Sequence, residues 1–342
     1  MRFTVPTIVL MMAAVLLTGC SLYARGPDQA ERDSWSEVIE TAIEALPGVV
    51  DASHTFQYNL YGDNSYYTSK LDVQLDDDAT PAEAASVVRV MGAQQLPPHY
   101  QDDSTLVEIH RMTDSYFGGW RFGRAVDVEA NAAYTWTRVS SADTGAEIHW
   151  ATHGVKPTGD ADGLTESISV RAGSEAEPQR ATAAMRRIIQ DFPELASNDW
   201  TVSPLHADGL VVQHSRLAPS VIYSDRRPRF PSNGELELWE WFLTDQPTPA
   251  IVEVSVYDPP DTAGRTLDVT VFPTAGKKFS SAQATQLADR HLRYLSQRGG
   301  VVDYRIITRN GPSFAVRVGG CQESGREVSP ESEPFARQYE RC

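Results

Sequence analysis

Several reactive signatures are missing from this chain, and each gap closes a line of reading. Lysine stands only at Lys70, Lys156, Lys277 and Lys278, none with a serine three residues before it, so a Ser-x-x-Lys nucleophile pair is absent. No Gly-x-Ser-x-Gly elbow and no glycine-rich phosphate loop occurs, which removes two familiar routes to acyl transfer and nucleotide binding. Positive charge is short: 30 Lys and Arg face 46 Asp and Glu, a formal charge of −16, which disfavours nucleic acid and anionic lipid headgroups as partners. The cysteines are Cys20, Cys321 and Cys342, with no third and fourth ligand beside the last two, so no thiolate metal site is expected. The eight histidines are scattered. The nearest pair, His149 and His153, would lie about 13 Å apart on a strand, too far to share an ion. No cofactor and no metal is therefore expected.

What is present begins at residue 2. Arg2 is followed by an apolar run from Phe3 to Leu17 and then by Leu17-Thr18-Gly19-Cys20. A basic start, a short hydrophobic core and small residues before a cleavage point describe a secretory signal, and the run is short for a membrane-spanning helix. Residues 17–20 resemble the lipobox of bacterial lipoproteins. The resemblance implies that Cys20 is acylated and becomes the new N-terminus, on a chain anchored to the extracytoplasmic side of the cell membrane. More than one acyl chain makes such an anchor stable. With Cys20 so used, Cys321 and Cys342 remain as a pair in an oxidising compartment, and a bridge between them would close the polar tail Gln322–Arg341. That tail otherwise reads as disordered.

Of 342 residues about 310 remain after the signal and a short tether, enough for two or three domains. Ser21–Arg32 reads as the tether. Asp33 or Ser34 can cap a helix, with Glu37 completing a capping box and Trp35, Val38, Ile39, Ala42 and Leu46 on one face. Leu71, Val73 and Leu75 then alternate with polar residues as a half-buried strand, and Thr80-Pro81-Ala82-Glu83 starts a helix striped by Ala84, Val87, Val88 and Met91. Leu106, Val107 and Ile109 begin the next strand.

The same order recurs at Ile168–Val170, Glu177-Pro178 and Trp200–Val202, and again at Leu267–Val271, Ser280–Gln283 and Val301–Thr308. Val73 to Val170 is 97 positions and Val170 to Val269 is 99, a spacing that points to internal duplication. Each unit is preceded by strand-like sequence joined through turn residues. The expected architecture is α+β: two or three small antiparallel sheets, each covered by an amphipathic helix, in ferredoxin-like repeats. The expected divisions are a signal over 1–19, a tether over 20–32, repeats over 33–115, 116–217 and 235–320, a linker over 218–234 and a disulfide-closed tail over 321–342. Within them, Ala133–Val139 and Leu236–Trp241 read as further strands by alternation, which would set Trp239 and Trp241 on a shared face.

The aromatic residues are the functional lead. Tyr116, Phe117 and Trp120, around Gly118-Gly119 and ahead of Arg121 and Arg124, offer a stacking surface for a sugar or peptide, as do Trp239 and Trp241. Arg226–Arg229 offers a dock for an acidic partner. Asp76-Asp77-Asp78 lacks the spaced ligands of a calcium loop and reads as a solvated turn. Taken together, these features suggest a lipid-anchored envelope protein with a non-catalytic binding or assembly role, contacting the membrane through lipid and an envelope protein or cell-wall glycan through its body. Two other readings stand beside it: a cell-wall hydrolase using a carboxylate pair, and the solute-binding lipoprotein of an importer. Against the importer component, antiparallel hairpins outweigh the alternating strand and helix of large parallel lobes.

Overall fold

The computed structural model describes residues 28–61, 64–94, 105–111, 114–120, 126–142, 145–154, 164–173, 177–203, 218–220, 230–245, 250–257, 266–273, 278–308, 314–321 and 329–342. The protein is α+β. It divides into two compact units, Met1–Arg138 and Val139–Cys342.

In the first unit α1 (Gln29–Glu44) leads into β1 (Val49–Tyr61), β2 (Asn64–Leu75), α2 (Pro81–Gly92), β3 (Thr105–Arg111) and β4 (Tyr116–Trp120). β1 and β2 form a hairpin, β2 and β3 run parallel across the α2 crossover, and β4 returns antiparallel, giving the order β1-β2-β3-β4. Alternation explains the core. Leu71, Val73, Leu75, Val107, Ile109 and Phe117 are buried, as are Ala84, Val87, Val88 and Met91 on α2. α2 starts as its sequence says: Thr80 accepts from the Glu83 backbone N–H while the Glu83 carboxylate accepts from the Thr80 backbone N–H, an arrangement that stabilises the helix by about 1 kcal/mol. α3 (Val126–Ser141) runs across the division; its Trp136 is buried against Phe117, ring centroids 6.1 Å apart.

In the second unit β5 (Glu147–Gly154) and β6 (Leu164–Arg171) form a hairpin, α4 (Pro178–Asp191) crosses over, and β7 (Asp199–Ser203) lies parallel to β6. After β8 (Ala218–Ser220) come α5 (Asn233–Thr244), β9 (Ala250–Tyr257), β10 (Thr266–Pro273), α6 (Ser281–Arg298), β11 (Val301–Ile306), β12 (Phe314–Val318) and α7 (Glu333–Tyr339). Their sheet has the order β12-β11-β10-β9-β8. The hairpin, helix and parallel strand thus occur three times, with Val73↔Ile109, Val170↔Val202 and Val269↔Tyr304 as matching partners. The sheets are larger than expected and mix parallel with antiparallel pairs, because each crossover helix returns its strand in the same direction.

Two expected strands are helices. Ala133–Val139 belongs to α3 and Leu236–Trp241 to α5. α5 carries its own capping box, with Ser232 accepting from the Glu235 N–H and Glu235 accepting from the Ser232 N–H. Tertiary burial of Leu236, Leu238, Trp239 and Phe242 overrides a short stretch of alternation. A helix therefore precedes each hairpin: α1, α3 and α5.

α1 also starts earlier than Asp33, with Asp28 as N-cap in a left-handed conformation (φ 58) and no side-chain cap, so Ser34 and Glu37 form no capping box. Its inner face is Arg32, Ile39 and Ile43, while Val38 is half exposed, because the helix lies along β1. There Arg32 donates to the Phe56 carbonyl (2.9 Å) and Glu40 accepts from the His54 N–H (2.7 Å), supplying partners to strand backbone.

The tail is ordered where it is described. Cys321 and Cys342 are joined, their Cα atoms 4.8 Å apart. α7 packs on β12, with Phe335 against Phe314 and Tyr339 buried. Ser332 Oγ accepts from the Ala315 N–H (3.0 Å), Glu340 from the Arg317 N–H (3.1 Å) and the Tyr339 carbonyl from the Gly319 N–H (3.1 Å). Two alternate amides of β12, and that of Gly319 just past its end, are thereby closed to further strand pairing.

Candidate functional site

The aromatic candidates separate once placed on their elements. Tyr116 and Phe117 are neighbours on β4, so they face opposite sides of the sheet. Phe117 is fully buried in the core, and Tyr116 is half-buried on the other face. The Trp120 side chain lies outside the described residues, as do Arg121, Arg124 and Arg226–Arg229. Two residues apart on a helix, Trp239 and Trp241 turn to different sides rather than sharing one. Trp239 is fully buried; Trp241 is partly exposed and stacks on Tyr294, centroids 3.7 Å apart. Tyr116 joins a partly exposed cluster of polar groups with chemistry of its own.

That cluster stands on the face of β2–β4 away from the core. The parallel register sets Asp72 beside Glu108 and Gln74 beside His110, and β4 brings Tyr116 opposite His110. Lys70 Nζ lies 2.8 Å from Asp72 Oδ2 and 2.8 Å from Glu108 Oε2. His110 Nε2 lies 3.0 Å from Asp72 Oδ1 and 3.8 Å from Glu108 Oε2. Tyr116 stacks on the His110 ring (5.8 Å, 21°), which fixes its plane, and the Gln74 amide donates to the His110 carbonyl. Gly118 lies beneath the ring: a Cβ there would stand 3.0 Å from Tyr116 Cε2, so the ring would have to shift to admit it. The side chains of Lys70, Asp72 and His110 are 44%, 37% and 38% exposed, so solvent and solutes reach all three.

The electrostatics are those of a screened, open surface. The two carboxylates raise the Lys70 pKa through hydrogen bonds, and burial raises that of Tyr116. Lys70 is therefore a cation and Tyr116 a neutral hydroxyl at neutral pH. Among the described residues, Asp72, Glu108 and His110 are three ligand-bearing side chains whose donor atoms lie within 4.8 Å of one another. This face can take up a cation between two carboxylates and an imidazole, or present paired charges to a polar partner.

Other polar groups are arranged differently. His54 is buried with Nδ1 3.0 Å from Ser36 Oγ and Nε2 2.7 Å from Ser69 Oγ, and burial lowers its pKa to about 4. His291 is buried with Nδ1 2.6 Å from the Tyr304 hydroxyl and Nε2 3.6 Å from Asp245, its pKa lowered to about 3 by burial and then by Arg290. Both rings are neutral ties between elements. Burial also raises the carboxyl pKa values of Glu166 and of Asp199, the latter to about 6. Glu166 shares the parity of buried Ile168, and Asp199 is one residue before buried Trp200. The parallel pairing Ser167↔Asp199 then sets these two carboxylates on opposite faces, so they do not form an acid/base pair. His149 sits on β5 with Nε2 3.5 Å from Glu147, and the His153 side chain lies outside the described residues.

The sequence reading passed over Asp72, Glu108 and His110. Asp72 is more than 35 positions from the other two, across a helix, and the signal that would have joined them is the strand–helix–strand order itself, which makes β2 and β3 parallel neighbours. No family model matches the chain, and comparison with curated proteins and with solved structures gives no match.

Proposed function

We propose that this protein is exported, anchored through lipid on Cys20 to the extracytoplasmic side of the cell membrane, and works there by binding rather than by catalysis, as a receptor or assembly component of the envelope. Residues 1–27, which carry the lipobox-like segment, lie outside the described residues, so the anchor rests on the sequence. The Cys321–Cys342 bridge supports it, since such bonds persist in oxidising compartments.

The observation that carries the binding role is the outer face of β2–β4. A hydrogen-bonded sheet holds Lys70, Asp72, Glu108, His110 and Tyr116 in fixed positions, partly exposed and mutually paired. A face of this kind recognises polar partners with little ordering cost. The test is membrane fractionation of cells making the full chain. The native chain should incorporate labelled palmitate and sediment with membranes, and Cys20→Ser should do neither. Membrane association that survives Cys20→Ser contradicts the proposal.

A further inference from the structure

We propose that Asp72, Glu108 and His110 form a site for a divalent transition-metal ion of the zinc type, and that Lys70 occupies it when no ion is bound. The inference deepens the reading of this face as a binding surface and is independent of the lipid anchor.

Three observations meet at these residues. First, donor type: two carboxylates and one imidazole are a set that zinc accepts, with a fourth position left for solvent or a partner. Second, spacing: bonds of 2.0–2.2 Å in a tetrahedron place neighbouring ligand atoms about 3.3–3.5 Å apart. His110 Nε2 is 3.0 Å from Asp72 Oδ1 and 3.8 Å from Glu108 Oε2, each within a few tenths of an ångström of that spacing, and all three donor atoms lie within 4.8 Å of one another. Third, the position already holds a positive charge: the Lys70 ammonium bridges both carboxylates at 2.8 Å. The carboxylates thus already converge on a cation, and the His110 imidazole stands beside the same two side chains, nearest to Asp72 Oδ1.

The ring is prepared for the task. Tyr116 holds its plane by stacking, and β3 holds its backbone between β2 and β4. Outer groups that orient a ligating histidine in this way ordinarily matter to metal affinity. Lys70 is 44% exposed and can swing into solvent. Exposed ion pairs contribute little, so its displacement costs an ion no more than about tenfold in affinity.

The test is titration of the full-length chain, purified in detergent and freed of metal with chelator, with ZnCl2 by calorimetry and with CoCl2 by visible absorption. One Zn2+ should bind per chain, and Co2+ should give the intense bands of a tetrahedral site. Lys70→Met should tighten binding by up to about tenfold, the displacement cost returned. His110→Ala should weaken it by more than about 100-fold, beyond the usual loss for an outer-shell partner. Far-UV circular dichroism and the urea midpoint establish that each variant is folded. Absence of binding in both the native chain and Lys70→Met overturns the proposal, as does binding that His110→Ala leaves unchanged. Neither result touches the palmitate experiment, so the two readings fail separately.

Discussion

The first and third repeats carry the same frame and opposite chemistry. In the first, the parallel pair β2–β3 sets Asp72 beside Glu108, and in the third β10–β11 sets Asp268 beside Asp303. Two residues beyond the second acid stands His110 in one and Arg305 in the other. Arg305 is ion-paired with Asp268, and Arg317 of β12 reaches Asp303, so the third face is closed by permanent cations. The first face is balanced by a lysine that can leave and an imidazole with a lone pair to give. The histidine or arginine at this register position, with Lys70 on one face and Arg317 on the other, separates a ligand set from a surface closed by arginines.

Beneath those faces the contrast reverses. Counting from the capping residues Thr80 and Ser280, Met91 corresponds to His291, and by strand register Ile109 corresponds to Tyr304. The first repeat fills these buried positions with apolar side chains, and the third with a hydrogen-bonded imidazole and phenol. The edges differ too. α1 covers β1 by non-covalent contacts, Arg32, Ser36 and Glu40 among them, whereas α7 covers β12 under a covalent bridge. The comparison teaches that this frame tolerates polarity above or below the strand, where the buried imidazole is tied through Nδ1 to the Tyr304 hydroxyl.

The comparison can be broken at its strongest point by removing the bridge. Cys321→Ser with Cys342→Ser should lower stability by about 3 kcal/mol in urea unfolding, from the loop entropy of the closed tail. It should also speed amide exchange at Ala315, Arg317 and Gly319 while leaving β1 unchanged. Unaltered exchange at those three amides would show that α7 holds without its bond.

A smaller effect sharpens the buried contrast. Tyr304→Phe leaves the His291 ring without its partner and should cost about 1–3 kcal/mol. The double change His291→Met with Tyr304→Ile, which copies the first repeat, should cost less than either single change, because both polar partners go together. The same pair sets a pH dependence. His291 titrates at about 3 when folded and near the ordinary histidine value when unfolded. Below that ordinary value the unfolded chain takes up a proton that the folded chain refuses, so stability falls with pH from about 6.5 towards 3. His54, lowered to about 4, adds to the same slope. The double variant should flatten the decline of the urea midpoint across this window but not abolish it, and an unchanged slope would remove His291 from the account.

Much of the frame was legible in the sequence, and the reasons are local. β2, β6 and β10 alternate cleanly, and Thr80-x-x-Glu83 and Ser280-x-x-Gln283 mark helix starts that the structure forms as written. The bridge followed from setting Cys20 aside. The helices α3 and α5 were misread because Tyr134, Trp136 and Val139, like Leu238 and Trp239, are residues that also suit strands. For α5 a signal of the trusted kind, Ser232-x-x-Glu235, was present and went unused. The donor set was not legible from strand alternation alone. Strand alternation says that Asp72, Glu108 and His110 face away from the core, but it does not say that the strands are neighbours. That depends on a parallel pairing across the α2 crossover.

The most direct measurement is a nitrogen-15 NMR spectrum of the histidine side chains during Zn2+ titration of the full-length chain. The account predicts that the Nε2 signal of His110 shifts and saturates at one equivalent, while those of His54 and His291 stay in place, and that His110→Arg, which copies the third repeat, abolishes the response. Saturation of another histidine first, or no histidine response at one equivalent, would contradict it.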